Sequence, residues 1–150
     1  MFNKQPSPTT KLAALSARLT TLQSIATKWH NTISDSDLVN TNGTLKVLLA
    51  NSIRDVNAPL AGTKPSKVLA ASESEKKKKI DTEFTNAKLN VQFDSTYARE
   101  MAYQLSIVHS MMKTLYSSSN SKSLKNLLAT TDNNLSPIQK SFEKFSASKE

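Results

Sequence analysis

Apolar residues recur at steps of three and four along most of this chain. Between residues 12 and 33 they fall on one stripe of a helix, in the order Leu12, Leu15, Leu19, Leu22, Ala26, Trp29 and Ile33. A period of about 3.6 residues indicates an amphipathic α-helix. The 150 residues include only two Gly, which is too few for a chain of tight β-turns. The sequence therefore predicts an all-α fold.

The same spacing predicts four further helical segments. The second runs from about residue 44 to 57 and ends before Pro59, after a loop at 34–43 that is rich in Ser, Asp and Asn. The third begins near Ser66 and carries Val68, Leu69, Ile80, Phe84 and Ala87 at helical intervals. The fourth runs from Asp94, as its cap, to about residue 117. The fifth covers about 124–145 and is expected to break or kink near Pro137.

These segments suit one domain. We expect a flexible N-terminal arm at 1–11 and a single bundle at 12–146. The bundle is expected to contain four long antiparallel helices and, in addition, one short helix. The first helix is expected to carry Ser16, Arg18, Thr20, Gln23 and Lys28 on its polar side. The predicted core is Leu15, Leu19, Leu22, Trp29, Leu48, Leu49, Ile53, Phe84, Tyr97, Met101, Val108, Leu115, Leu128 and Phe142.

The chain is basic, with a formal net charge of +8. This charge favours loose binding to polyanions such as nucleic acid, anionic lipid or acidic polysaccharide. The possible polyanion surface comprises Lys67, Lys76, Lys77, Lys78, Lys79 and Lys88. The sequence favours a solvated helix face over such a surface, because Glu73 and Glu75 lie three or four residues from lysines that they would partly neutralise.

The fourth segment holds Glu100, His109 and several Met, which raises the question of a metal or cofactor site. At about 100° per residue, Glu100 and His109 point to opposite sides of the helix, and the chain has no Glu-x-x-His pair. Met101, Met111 and Met112 could form an adaptable partner groove, but Met at this spacing is more often core. The chain also lacks Cys and a Gly-rich phosphate loop. We expect no cofactor, no metal site and no catalytic site.

The longest apolar runs, such as residues 47–50, are far shorter than the roughly twenty residues that cross a bilayer. We therefore expect no transmembrane segment. Residues 1–11 contain no apolar stretch of a secretory signal. The residues alone leave the compartment open, the cytoplasm included.

Phe93, Asp94, Tyr97 and Met101 match the motif Phe-Asp-x-x-Tyr-x-x-x-Met. Asp55 matches an earlier block of the same pattern, and two later blocks are matched by Leu124, Lys125 and Leu128, then by Leu135, Ile138 and Phe142. From residue 44 to 145 the order of these features resembles the DUF4142 family of bacterial helical bundles, which are usually exported and of undefined function. The resemblance implies a ferritin-like bundle in the periplasm or extracellular space.

The chain departs from that pattern where the family commonly places histidines. It has Val56 and Leu105 in the two Asp-His pairs and Ser141 in place of the last His. Metal or proton chemistry therefore does not carry over from the resemblance. We expect a non-catalytic bundle of the envelope or extracellular space that acts through surface interactions with a protein partner. A self-assembling structural subunit and a polyanion-binding module are the alternatives.

Overall fold

The computed structural model describes residues 8–148, and these residues form five α-helices. The helices are α1 (Pro8–Trp29), α2 (Ser36–Asn57), α3 (Lys67–Leu89), α4 (Phe93–Ser118) and α5 (Lys122–Ser148). Single 3-10 turns, His30–Thr32 and Ala58–Leu60, follow α1 and α2. The described part of the chain contains no strand, so the all-α prediction is confirmed there.

A helix additional to the four of the bundle is present as predicted, but the prediction that it is short is wrong, because every α-helix spans 22 to 27 residues. α3 stays helical through its run of lysines, as the helical spacing of its apolar residues predicted. The predicted arm at 1–11 falls mostly on residues 1–7, which lie outside the described residues. Residues 8–11 already belong to the start of α1.

Four of the helices close a ring. α1 packs against α2 and α4, and α5 packs against the same two helices on the other side. α3 lies outside this ring, against α1 and α4. One face of α3 is therefore covered by the bundle, and the opposite face has no neighbouring helix among the described residues.

Paired contacts fix the helix directions. Trp29 stacks near Phe93 and Arg18 reaches Gln104, so α1 and α4 are antiparallel. The amide of Asn42 donates to the carbonyl of Ala26, whereas Ser16 bonds to Asn57, so α1 and α2 are antiparallel too. As a result α2 and α4 run in the same direction.

α3 is the connection between those two parallel helices. Its Glu73 bonds to Arg18 and its Asp81 bonds to Trp29, so it runs in the direction of α1. The chain thus returns along the length of the bundle inside α3 before α4 begins. His109 meets Asp132 and Tyr97 meets Phe142, which makes α5 antiparallel to α4.

The apolar period identified the core correctly. Of the predicted core residues, all are buried except Leu48 and Ile53, which are half-buried and pack against the core. At one end of the bundle five aromatic rings from α1, α3, α4 and α5 meet at centroid distances from 5.1 to 6.1 Å. They are Trp29, Phe84, Phe93, Tyr97 and Phe142. Ring pairs at these distances add stability beyond the area that they bury.

The predicted loop at 34–43 is wrong, because α2 begins at Ser36. Asp35 caps the helix by accepting a hydrogen bond from the backbone N–H of Leu38 at 3.0 Å. Leu38 and Asn42 are both buried. Residues that favour loops in isolation are held in a helix here because they have tertiary partners.

Asp94 does not cap α4 as predicted. The helix begins at Phe93, and the carboxylate of Asp94 instead accepts hydrogen bonds from the backbone N–H groups of Ser34 and Asp35, at 3.0 and 2.8 Å. This side chain therefore fixes the chain entering α2 against the start of α4.

Pro137 does not interrupt α5, which runs through it to Ser148. Proline removes one backbone donor, and the carbonyl four residues earlier belongs to Asn133. Both Pro137 and Asn133 are exposed, so water can satisfy that carbonyl. The helix continues because Leu135 and Phe142 are buried on either side of the proline.

None of the helices within residues 8–148 combines the length and the apolar content that crossing a membrane requires.

Candidate functional site

The helix that carries the predicted lysine surface, α3, is attached to the bundle by a narrow face. Ser66 caps it by accepting a hydrogen bond from the N–H of Leu69 at 3.1 Å. Four of its 23 residues are buried, namely Glu73, Ile80, Phe84 and Ala87. Val68 is 81% exposed and so does not belong to the inward set.

Five of the six predicted lysines are exposed: Lys67, Lys76, Lys78, Lys79 and Lys88. The sixth, Lys77, is half-buried, and its ammonium lies 3.2 Å from the carboxylate of Asp81. The structure does not gather the five into one pocket. At about 100° per residue they spread around the solvent side of α3.

Asp81 is held between α3 and α1. Its carboxylate accepts hydrogen bonds from the indole N–H of Trp29 at 2.8 Å and from the ammonium of Lys28 at 3.1 Å, in addition to Lys77. Burial alone would raise the pKa of Asp81, but these three donors together lower it below its ordinary value. The carboxylate is therefore charged and fully engaged.

Glu73 does not neutralise the lysine run as predicted. It is buried, and its two oxygens accept hydrogen bonds from Arg18 Nε at 3.0 Å and Arg18 Nη2 at 3.1 Å. The hydroxyl of Thr21 donates to the same carboxylate at 2.9 Å. Arg18 and Ser16 were expected on the polar side of α1, but both are buried at its contacts with other helices.

Glu83 also turns toward the bundle, where it meets Glu100 of α4. One oxygen of Glu83 is buried without a hydrogen-bond partner within the described residues. Burial, then the hydrogen bond and the negative charge of Glu100, raise the pKa of Glu83 to about 7, with Arg99 opposing the shift. The amide of Gln104 donates to Glu100 at 2.9 Å.

Three of the four acidic residues of α3 are therefore committed to neighbours on α1 or α4. They are Glu73, Asp81 and Glu83, and Glu75 is the one acidic residue of α3 that is exposed. The exposed charged side chains of α3 are therefore five lysines and one carboxylate. α3 is thus a strongly positive outer face on the bundle.

The chain matches no protein-family model, no curated protein sequence and no solved structure. The resemblance to the DUF4142 family stays a prediction, which is based on the residues that match the motifs of that family.

The two histidines lie between different pairs of helices and have different partners. Nδ1 of His30 pairs with the amide of Asn42 at 2.9 Å, between α1 and α2. Nδ1 of His109 lies 2.7 Å from Asp132 of α5, whereas Glu100 faces α3. Glu100 and His109 therefore point away from each other, as the helical spacing predicted. Residues 8–148 contain no group of three or more His, Asp or Glu side chains placed to hold a metal ion.

The methionines and the tryptophan lie where the core interpretation placed them. Met101 and Met112 are buried, and Met111 is partly buried against the core. Trp29 is 8% exposed, which leaves no stacking platform for a ligand.

The sequence reasoning missed one property of α3, which is that large aliphatic side chains are exposed at both of its ends. Val68 and Leu89 lie in α3, and Val91 lies two residues beyond its end. A helical wheel carries the signal, since Leu89 lies about 180° from Ile80 and Val68 about 160° from Phe84.

Proposed function

We propose that this chain is a non-catalytic binding module that acts through its surface, and that the exposed lysines of α3 bind a polyanionic partner. The observation that carries the proposal is the separation of charge on α3. Five of its six lysines face solvent, whereas Glu73, Asp81 and Glu83 face the bundle. A helix with this arrangement attracts negative charge although its sequence contains four acidic residues.

The position of α3 supports the proposal. It packs outside the ring on α1 and α4, so a partner can approach its outer face without displacing another described element. The ion pairs of Glu73 and Asp81 hold α3 in register with α1. A partner would therefore meet lysines on a fixed helix, although each lysine side chain keeps its own freedom.

The ferritin-like assignment belongs to this proposal as well. Its support is the path of the chain, in which α3 is one long crossover between the parallel helices α2 and α4. Bundles of ferritin-like type have one such crossover. With that fold we propose the periplasmic or extracellular location that the resemblance implies. Cell fractionation tests the location, and recovery with the cytosol would contradict it.

Polyanion binding is tested by titrating the protein with heparin at a series of salt concentrations. The test variant replaces Lys76, Lys78 and Lys79 by Gln. The control replaces Lys113, Lys140 and Lys144, which are exposed on α4 and α5, and so removes the same charge from another surface.

Log affinity falls as log salt concentration rises, and each lysine contact with the polyanion that is lost should make this slope shallower by somewhat less than about 1. We therefore expect the α3 variant to bind about tenfold or more weakly, with a shallower slope, and the control to stay near the unmodified protein. Equal losses in the two variants would show that only net charge matters and would contradict a site on α3.

A further inference from the structure

Exposed aliphatic side chains lie at the two ends of the basic helix. Val68 is 81% exposed, Leu89 is 76% exposed and Val91 is 94% exposed. Val68 and Leu89 are 21 positions apart, which is about 32 Å along a helix. Each is next to a lysine in the sequence, Lys67 or Lys88.

Val68 and Leu89 share the outermost side of α3 with lysines. At about 100° per residue, Val68 and Leu89 lie within about 60° of each other. Measured around the helix axis in the same way, Lys79 lies within about 20° of Val68, and Lys78 lies within about 20° of Leu89. Glu75, the exposed carboxylate of α3, also lies within about 20° of Val68. A flat surface that touches this side of α3 would meet apolar groups at both ends and, between them, two lysines and one carboxylate.

Val91 adds a second, independent observation. Its φ of 58° is in the left-handed region, which is costly for a β-branched residue. Val91 lies two residues beyond the end of α3, directly after its C-cap Asn90, and the N–H of the next residue, Gln92, donates to the carbonyl of Ala87 at 2.8 Å. Glycine is the usual residue at such a position. A strained valine that is almost fully exposed is better explained by a contact outside the chain than by stability.

The residue types on this surface favour lipid over nucleic acid. α3 contains no Arg, and Phe84, its one aromatic residue, is buried. Nucleic-acid binding draws on the Arg fork and on aromatic stacking. Lysines beside exposed aliphatic residues instead suit an anionic membrane, where the ammonium groups meet headgroups and the apolar side chains enter the interface.

We infer that the polyanion bound by α3 is the surface of an anionic lipid bilayer, and that the helix lies flat on it with Val68, Leu89 and Val91 at the interface. This inference rests on the proposed function, because it names the partner of the same lysine surface.

The test uses sedimentation of the full chain with phosphatidylcholine vesicles that contain or lack phosphatidylserine. The variant Val68→Ser with Leu89→Ser removes the apolar ends of α3. A matched control, Val47→Ser with Tyr103→Ser, changes two exposed apolar residues on α2 and α4, which are 61% and 60% exposed. All four positions face solvent, so both variants are expected to fold.

We expect binding only to vesicles with phosphatidylserine, weakening as salt is added. The α3 variant should bind about tenfold more weakly, and the control should bind as the unmodified chain does. Unchanged binding of the α3 variant would overturn the flat-lying contact. Binding to heparin but to neither kind of vesicle would overturn the lipid assignment and leave the proposed function standing. Binding to neither heparin nor vesicles would overturn both.

Discussion

Arg18 of α1 and Glu73 of α3 form a buried ion pair with two parallel hydrogen bonds, Nε to Oε1 at 3.0 Å and Nη2 to Oε2 at 3.1 Å. Their side chains are 9% and 10% exposed. The first half of α3 buries no other residue. The pair is therefore the main attachment of that half to the bundle.

Breaking this pair should be costly. In Glu73→Gln the guanidinium of Arg18 stays buried without its counter-ion, so the free energy of unfolding should fall by about 3 to 5 kcal/mol. Replacing both partners, with Arg18→Met and Glu73→Leu, should restore most of that loss. Urea denaturation measures both. The exposed pair Arg54–Asp55 is the control, and Asp55→Asn should cost less than about 1 kcal/mol. A similarly small cost for Glu73→Gln would contradict the attachment role.

Glu83 should make stability depend on pH. Its pKa is raised from 4.5 to about 7 in the folded protein, so the folded state holds the proton more tightly than the unfolded chain. This contribution is fully present below about pH 4.5 and is lost as the pH rises through about 7. Glu100 and Arg99 are the charged groups that face it from α4.

The variant Glu83→Gln removes this titration and leaves the other groups in place. Relative to the unmodified protein, its urea midpoint should rise between about pH 5 and about pH 8. Parallel pH profiles for the two proteins would contradict the raised pKa of Glu83, and with it the burial of this carboxyl beside Glu100.

Tyr97 and Asn42 join α4 to α2 inside the core. The tyrosine hydroxyl donates to Oδ1 of Asn42, whose amide donates to Ala26 and to Nδ1 of His30. Burial raises the pKa of Tyr97, with the bond to Asn42 opposing the shift. Tyr97→Phe should cost about 1 to 3 kcal/mol because it leaves a buried acceptor unpaired. Tyr103→Phe, at a tyrosine that is 60% exposed, should change stability by less than about 0.5 kcal/mol. Equal effects would argue against the buried bond.

Much of the core could be predicted from the apolar period. Tyr97, Met101 and Val108 are buried because a stripe of that width leaves one side for packing, whichever helix lies opposite. The start of α4 could not be predicted, because the carboxylate of Asp94 accepts hydrogen bonds from the backbone of Ser34 and Asp35 instead of capping its own helix. The start of α2 was missed although Asp35 caps it locally, because the following residues are held in the helix by buried tertiary contacts. Local spacing carries no information on such partners.

The lysine surface could be predicted as a run of residues but not as a charge distribution. Charged side chains usually stay exposed, so nothing in the sequence indicated that Arg18 and Glu73 would be buried together. Their burial depends on α3 lying parallel to α1, which is set by the whole bundle. The exposed valines and Leu89 were missed for a related reason, since their direction is defined only once the buried side of α3 is known.

The left-handed backbone conformation of Val91 should lower the stability of the fold, and a glycine at this position should restore that stability. Val91→Gly removes the penalty of the left-handed conformation at φ 58° and should stabilise the fold by about 0.5 to 1 kcal/mol, after the added freedom of glycine in the unfolded chain. Val47→Gly, at an exposed position within α2, should instead destabilise by about 0.5 kcal/mol. Thermal melts compare the two variants. A loss of stability in Val91→Gly would contradict the strain.

The most direct measurement is the acetylation rate of individual lysines, read by mass spectrometry with and without phosphatidylserine vesicles. Lys78, Lys79 and Lys88 should be protected by the vesicles, while Lys113, Lys140 and Lys144 on α4 and α5 should react at unchanged rates. Measurable protection that is equal in the two sets, or stronger in the second, would contradict the claim that the chain acts through the outer face of α3. No protection of either set would contradict the contact with lipid.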